Sequence, residues 1–452
     1  MSDFGSVMVM VMAPSPAAVD PGQGMPHADA HATAESAHRA KPSRRTLGVV
    51  STTICGARIF DGERSLGEGT VVVDGDVITA VEPGNREPAP GDVDGRGATL
   101  LPGLIDGHVH LRGAGNLGQD LRHGVTTVLD MFSAPPQFTA MLRGRATRRD
   151  DEADLRSSGL IAGAVDGWPA VLLPPDPSGW RMPGLSGPED AEEFVADRLR
   201  EGSDYLKVFV ENAASRPTLT PETVAAVCAA ARSHGLTTVA HAPTRWAFAT
   251  ARQAGVDVLT HLPLDGPLDD DGLGDLTVVP TLTMMAALTD PDSQNALFAD
   301  PRLTARLPAD VVDALRTGDR GGLPTSSAPG AAYEHAAENL RRLVAAGARV
   351  VAGTDANDVP GRPAAVLHGA SLHLELELLV QCGMTPTDVL AAATSRAADV
   401  FALADRGRIA VGRRADLLLV DGDPTVDVTD TRALRAVWRA GVQHDLAHPV
   451  PV

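Results

Sequence analysis

Between residues 101 and about 405 the chain alternates short apolar runs with longer amphipathic stretches. The runs at 101–105, 126–129, 160–164, 205–210, 237–240, 256–260, 278–282 and 350–352 have the length and branched-residue content of strands buried on both faces. Between them, 191–200, 221–233, 246–254 and 334–346 place apolar residues at helical spacing. Thr220-Pro221-Glu222 reads as a helix start, with proline at the first helical position. Strands alternating with helices in this number predict a (β/α)8 TIM barrel.

The two chain ends follow another pattern. Runs at 54–60, 70–73 and 77–81 cluster branched residues around Asp61-Gly62 and Asp74-Gly75, which are hairpin signals. A matching set closes the chain at 408–410, 415–420 and 436–439. These pieces predict one small β-sandwich domain assembled from residues 47–100 and 406–452, flanking a barrel of residues 101–405. Residues 1–46, rich in Ala, Pro, Ser and His, read as a disordered leader, and its His27, His31 and His38 as solvated.

Composition narrows the class. The 452 residues carry 58 acidic against 39 basic side chains, a net charge of −19, which argues against a nucleic-acid partner. Hydrophobic residues make up 43% but aromatics only 3%, so the core must be packed with small and branched side chains. Three scattered cysteines exclude a disulfide scaffold or a cysteine-rich zinc module. No apolar run reaches the length of a bilayer span. The apolar stretch from Val7 to Ala13 follows Asp3 with no Lys or Arg ahead of it, so a cytoplasmic protein is expected, secretion being the alternative.

A barrel enzyme carries its chemistry at the C-terminal ends of its strands. Strand one finishes in His108-Val109-His110; residues two apart on an extended chain point the same way, so both imidazoles can reach one ion. Strand four contains Lys207 among apolar neighbours, where an ammonium is costly unless paired or chemically altered. Strands five and six end in His241 and His261, and strand eight in Asp355. A lone histidine after an apolar strand is ordinarily a packed side chain. Five strand ends supplying such donors in barrel order point to a metal centre.

These residues give the chain its resemblance. Pro102-Gly103-Leu104-Ile105-Asp106-Gly107-His108-Val109-His110, Lys207, His241, His261, Gly353-Thr354-Asp355 and the tail from Gly407 to Pro424 resemble the amidohydrolase superfamily of metal-dependent hydrolases, over nearly all of residues 47–445. The run from Leu372 to Val380 with Gly383-Met384-Thr385-Pro386 resembles the branch of prolidase-like dipeptidases, phenylurea hydrolases and imidazolonepropionase-like proteins. The resemblance implies two divalent metals bridged by an N-carboxylated Lys207. His108, His110 and Asp355 would hold the more buried ion, and His241 and His261 the other. Zinc suits these donors, and Mn or Fe would fit them too. Metal-bound hydroxide would then attack a carbonyl carbon, with Asp355 taking its proton and passing it to the leaving nitrogen.

Substrate contacts are expected on the catalytic-face loops, from Trp168, Glu211, Asn212 and Arg245, with Trp180 and Arg181 nearby. After His241 the sequence reads Ala242-Pro243-Thr244-Arg245. Dipeptidase-like relatives often place a further His or Tyr there for a substrate carboxylate. The departure favours a small-molecule cyclic amide, urea, carbamate or N-acyl amine. An Xaa-Pro dipeptidase or N-acyl-amino-acid hydrolase, a mononuclear deaminase and a non-catalytic scaffold are the alternatives, and homo-oligomerisation stays open. His123 reads as a surface or helix-terminus residue, His335 and His368 as helical, His373 as packed, and Glu375 and Glu377 as a solvated face or an ion pair.

Overall fold

Strands from both chain ends meet in one sheet of eight. The front of the chain supplies Ser51–Phe60, Ser65–Asp74, Val77–Pro83, Val93–Asp94 and Ala98–Pro102, and the rear supplies Leu417–Asp421, Leu434–Arg439 and Val442–His444. The halves join where Leu417–Asp421 runs antiparallel to Ala98–Pro102, with Leu418 opposite Leu101. Ile54, Ile59, Val71, Val73, Ile78, Leu100, Leu417, Leu419 and Trp438 form the core of this sandwich portion. Gly75 turns the second hairpin with φ +61°, a conformation that explains glycine after Asp74. These features come from a computed structural model, which describes residues 51–446 except 174–175, 177, 213–215, 291, 294, 296–298, 310, 314–330, 359–365 and 445. The leader, with His27, His31 and His38, lies outside the described residues.

The chain leaves this sheet at Pro102 and starts the first barrel strand at Leu104, so the run expected as one strand at 101–105 is divided between two sheets. Gly103 makes the crossing because a β-carbon there would stand 2.2 Å from Thr126 Oγ1. Barrel strands Leu104–Val109, Val125–Asp130 and Asp154–Ser157 pair in parallel. So do Leu206–Phe209, Thr238–His241, Val258–Thr260, Thr277–Val279 and Arg349–Val350. Bridges Ala162–Val208 and Val109–Ala356 connect the two arcs, giving a (β/α)8 barrel with strand eight beside strand one. Strand three begins earlier than 160–164, although Ala162 and Ala164 still make bridges.

Helices Ala191–Arg200 and Pro221–Ser233 fall where the periodicity put them, and Thr220 Oγ1 caps the second by accepting from the Thr223 amide at 3.2 Å. Among the described residues no helix is long and apolar enough to cross a membrane.

Candidate metal centre

The six donors foreseen from the sequence converge on the C-terminal side of the barrel. His108, His110, Lys207, His241 and His261 are fully buried, and Asp355 is 1% exposed. Asp355 Oδ1 lies 3.0 Å from His110 Nε2 and 3.5 Å from His108 Nε2, while its Oδ2 is 3.9 Å from His261 Nδ1. The His108 and His261 rings are 5.0 Å apart and those of His241 and His261 4.7 Å. One donor atom each from His108, His261 and Asp355 falls within 4.8 Å of the others.

Backbone shape presents two of these donors. His261 and Asp355 follow their strands at φ 72° and 65°, a left-handed conformation uncommon outside glycine and concentrated at functional sites.

Among the described residues, neither ring nitrogen of His108, His110 or His241 has a hydrogen-bond partner, nor has Nε2 of His261 or Oδ1 of Asp355. Leaving so many polar atoms dry costs about 1–3 kcal/mol each unless a ligand satisfies them. Burial, reinforced by neighbouring positive charge, holds His108, His241 and His261 well below the ordinary imidazole range, so they are neutral with lone pairs available. Neutral imidazoles beside a carboxylate are donors that fit a divalent transition metal.

Lys207 Nζ donates to Thr260 Oγ1 at 2.7 Å, and that hydroxyl donates to the Ala240 carbonyl at 2.8 Å. Burial pushes its amine down to about 7, against the opposing pull of Asp355. Burial thus favours the neutral amine at Lys207.

The foreseen substrate contacts separate into two groups. Glu211 is buried with Oε1 3.5 Å from His241 Nε2, and the exposed Asn212 donates its amide to Glu211 Oε2 at 3.2 Å. Trp168 is 9% exposed with no partner for its indole nitrogen among the described residues, and packs in a cluster with Phe132, Leu160, Ile161 and Phe209. Phe209 stacks on His241 at 4.3 Å, which connects that cluster to the centre. Arg245 instead opens helix Arg245–Gln253 with a half-exposed side chain 3.9 Å from Asp269. Trp180 borders the Trp168 cluster, and Arg181 is exposed.

The family model described as "Amidohydrolase family" matches residues 99–445. The chain belongs to the amidohydrolase family. As an amidohydrolase it is a metal-dependent hydrolase of carbon–nitrogen bonds. It is 27% identical to an imidazolonepropionase of Deinococcus deserti over 413 residues, covering 80% of this chain and 88% of that one. An imidazolonepropionase of Streptomyces griseus is 28% identical over 414 residues, covering 85% and 97%. Among solved structures, a Xaa-Pro dipeptidase with bound methionine superposes with a TM-score of 0.69 at 21% identity, covering 88% of this chain and all of the other.

Several residues that brace the amidohydrolase centre carried little or no signal in the sequence. Asp106 accepts from the amides of His108 and Thr354 and from the Thr354 hydroxyl. Its place inside the strand-one motif, four residues before His110, was its only signal. Arg112, 9% exposed, feels the charges of Asp130 and Asp355, and burial lowers its guanidinium to about 10. His368 is fully buried just ahead of helix Ala370–Gln381, with Nε2 3.2 Å from the His110 carbonyl and Nδ1 3.2 Å from Asp120 Oδ2.

Other expectations divide. His373 is a packed core residue between Thr431 and the His123 carbonyl, and His335 is helical. Glu377 pairs with Arg432. Glu375 does not share its fate: it is fully buried and accepts from the amides of Leu282 and Thr283. His123 does end helix Gly115–Arg122, but buried, between the carbonyls of Gln119 and Leu303.

Proposed function

We propose that this amidohydrolase opens a non-peptide carbon–nitrogen bond in a small molecule, a cyclic amide in the first instance, at a centre of two divalent ions bridged by carboxylated Lys207. The set of partnerless imidazole nitrogens around a lysine amine held near 7 carries the reading. A neutral amine can attack the carbon of CO2 and, on losing a proton, become a carbamate anion able to ligate two ions; an ammonium can do neither. His108, His110 and Asp355 would hold one ion and His241 and His261 the other, with zinc the expected metal and Mn or Fe compatible. When bound, the ions supply a water acidic enough to be hydroxide at neutral pH and an electrophilic pull on the carbonyl oxygen.

The chain's own groups do the rest. The Asp355 carboxylate takes the proton of the attacking water and delivers it to the leaving nitrogen. Glu211, beside His241, and Asn212, joined to Glu211 through its amide, contact the substrate. The Trp168 cluster forms an apolar wall, and Arg112 supplies positive charge to an anionic substrate group. The imidazolonepropionase relatives support a cyclic amide. Against a dipeptide carboxylate bound just after His241, Pro243 offers no donor there and Arg245 lies towards Asp269. Three free, buried cysteines support a cytoplasmic setting.

A single-ion centre is the second reading, favoured by the grouping of His108, His261 and Asp355 within 4.8 Å. Metal content by plasma mass spectrometry on leader-free protein tests both. Two ions per chain, with turnover of cyclic amides or ureas and none after Asp355→Asn, is the expected result. One ion moves the assignment to the second reading, and none after reconstitution removes both.

A further inference from the structure

His261 has one ring nitrogen engaged and one free. Its Nδ1 lies 2.8 Å from Thr281 Oγ1, and its Nε2 has no partner. Which nitrogen carries the proton decides what the ring can do. With the proton on Nδ1, donated to the Thr281 hydroxyl, the Nε2 lone pair is open to a metal; with the proton on Nε2, it is not.

The position of Thr281 is itself held from afar. Thr281 adopts φ 48° and ψ 45°, a left-handed conformation that a β-branched residue rarely takes. It stands directly ahead of helix Leu282–Thr289, and its carbonyl accepts from the Met285 amide at 3.0 Å. One carboxylate grips the next two residues: Glu375 accepts from the Leu282 amide at 3.0 Å, and from the Thr283 amide and hydroxyl at 2.7 Å each. Glu375 is fully buried on helix Ala370–Gln381, so it anchors this turn to a separate element. The third contact comes from the barrel, where the His261 amide donates to the Val279 carbonyl at 3.0 Å.

We propose that Thr281 and Glu375 are positioning residues for His261: Glu375 fixes the turn, the turn aims the Thr281 hydroxyl, and the hydroxyl keeps the His261 proton on Nδ1 so that the Nε2 lone pair stays open to a metal. The inference rests on the reading of His261 as a metal ligand. Glu375 touches no donor of the centre; it acts through Thr281.

Two measurements test it. In metal-free protein labelled with nitrogen-15 at histidine, long-range proton–nitrogen spectra report each ring's tautomer, with His261 assigned from His261→Asn. The wild type is expected to show His261 protonated at Nδ1, with the proton moved to Nε2 in Thr281→Val and retained in Thr281→Ser. Zinc affinity, read by chelator competition, is expected to fall about 10–100-fold in Thr281→Val, and in the same direction in Glu375→Gln, with Thr281→Ser close to wild type. An Nε2-protonated His261 in the wild type overturns the proposal, as does wild-type zinc affinity in both Thr281→Val and Glu375→Gln. Should His261→Asn itself bind zinc as the wild type does, the ligand assignment fails first and the positioning role with it. Should it lose zinc while Thr281→Val does not, the positioning role fails alone.

Discussion

Thr354 Oγ1 donates to Asp106 Oδ2 at 2.7 Å, tying the last barrel strand to the first one residue before Asp355. The other oxygen of Asp106 accepts from the Thr354 amide at 3.0 Å and the His108 amide at 3.1 Å. A single buried carboxylate therefore sets the spacing between Asp355 and His108. Burial pushes this carboxyl up to about 7. Asp106→Ala would strand three buried donors and is expected to cost on the order of 3 kcal/mol. Metal content should fall with it, while Asp106→Asn, which keeps an acceptor for the two amides, loses less. Tm and metal content of the pair check this; a full metal complement in Asp106→Ala would show that the strands hold their spacing without it.

In the proposed two-ion centre, Lys207 is the residue on which the number of ions would turn. Lys207→Ala is expected to drop metal content from two ions towards one and turnover by orders of magnitude. A short carboxylic acid with bicarbonate should restore part of the activity by occupying the space of the lost carbamate. Because the wild-type amine is buried and, among the described residues, bonded only to Thr260, the metal-free variant should fold at least as well as the wild type. Unchanged metal content and activity in Lys207→Ala would end the bridging role.

The residues proposed as donors could be picked out because a barrel leaves such side chains one place to gather. A histidine, lysine or aspartate closing an apolar run belongs on the catalytic face by its position in the alternating pattern alone. Glu375 and Glu377 show where that reading stops. They sit two apart in an alternating Leu-Glu run, about 200° around a helix from one another. One reaches Arg432, while the other meets the start of helix Leu282–Thr289, far away in sequence. Nothing local distinguishes them; the distant partner does. Arg245 shows a related limit. Closeness to His241 in sequence suggested the site, but the chain turns into a helix at Arg245 and its guanidinium goes to Asp269. The break at Pro102-Gly103 was hidden because both sides of it are apolar, one run serving two sheets.

His368 makes stability depend on pH in a window that its surroundings define. Burial alone would lower its pKa, but Asp120, together with Asp358 and Asp106, outweighs that and pushes it up to about 9. A group whose folded pKa exceeds its unfolded value of about 6.5 stabilises fully below that value, and the contribution is lost as pH rises through about 9. The shift corresponds to about 3 kcal/mol. The stability difference between wild type and His368→Gln should therefore be widest below about pH 6.5 and narrow by roughly that amount above about pH 9. Denaturant unfolding of metal-free protein across that range reads it directly. A difference that stays flat would mean His368 is neutral in the fold.

Asp154 joins the barrel to the rear of the chain and carries the last prediction. It opens strand Asp154–Ser157, and its carboxylate lies 2.6 Å from Arg406, 2.9 Å from Arg414 and 3.5 Å from Arg439. Burial opposes its charge, but these guanidiniums prevail and hold the carboxyl far below the usual range. Since its folded pKa lies below the unfolded value of about 3.9, this stabilisation is present at neutral pH and is lost only as the solution becomes strongly acid. Asp154→Asn keeps the shape and leaves Arg406 paired with Asp405 and Arg414 with Asp416, so it removes only the shared charged hydrogen bonds and is expected to cost about 1–3 kcal/mol. The loss should appear in Tm and not in metal content or in turnover per folded molecule, because Asp154 begins its strand at the barrel end opposite the histidines. A variant with unchanged Tm and depleted metal would reverse that division and make this cluster part of what shapes the centre.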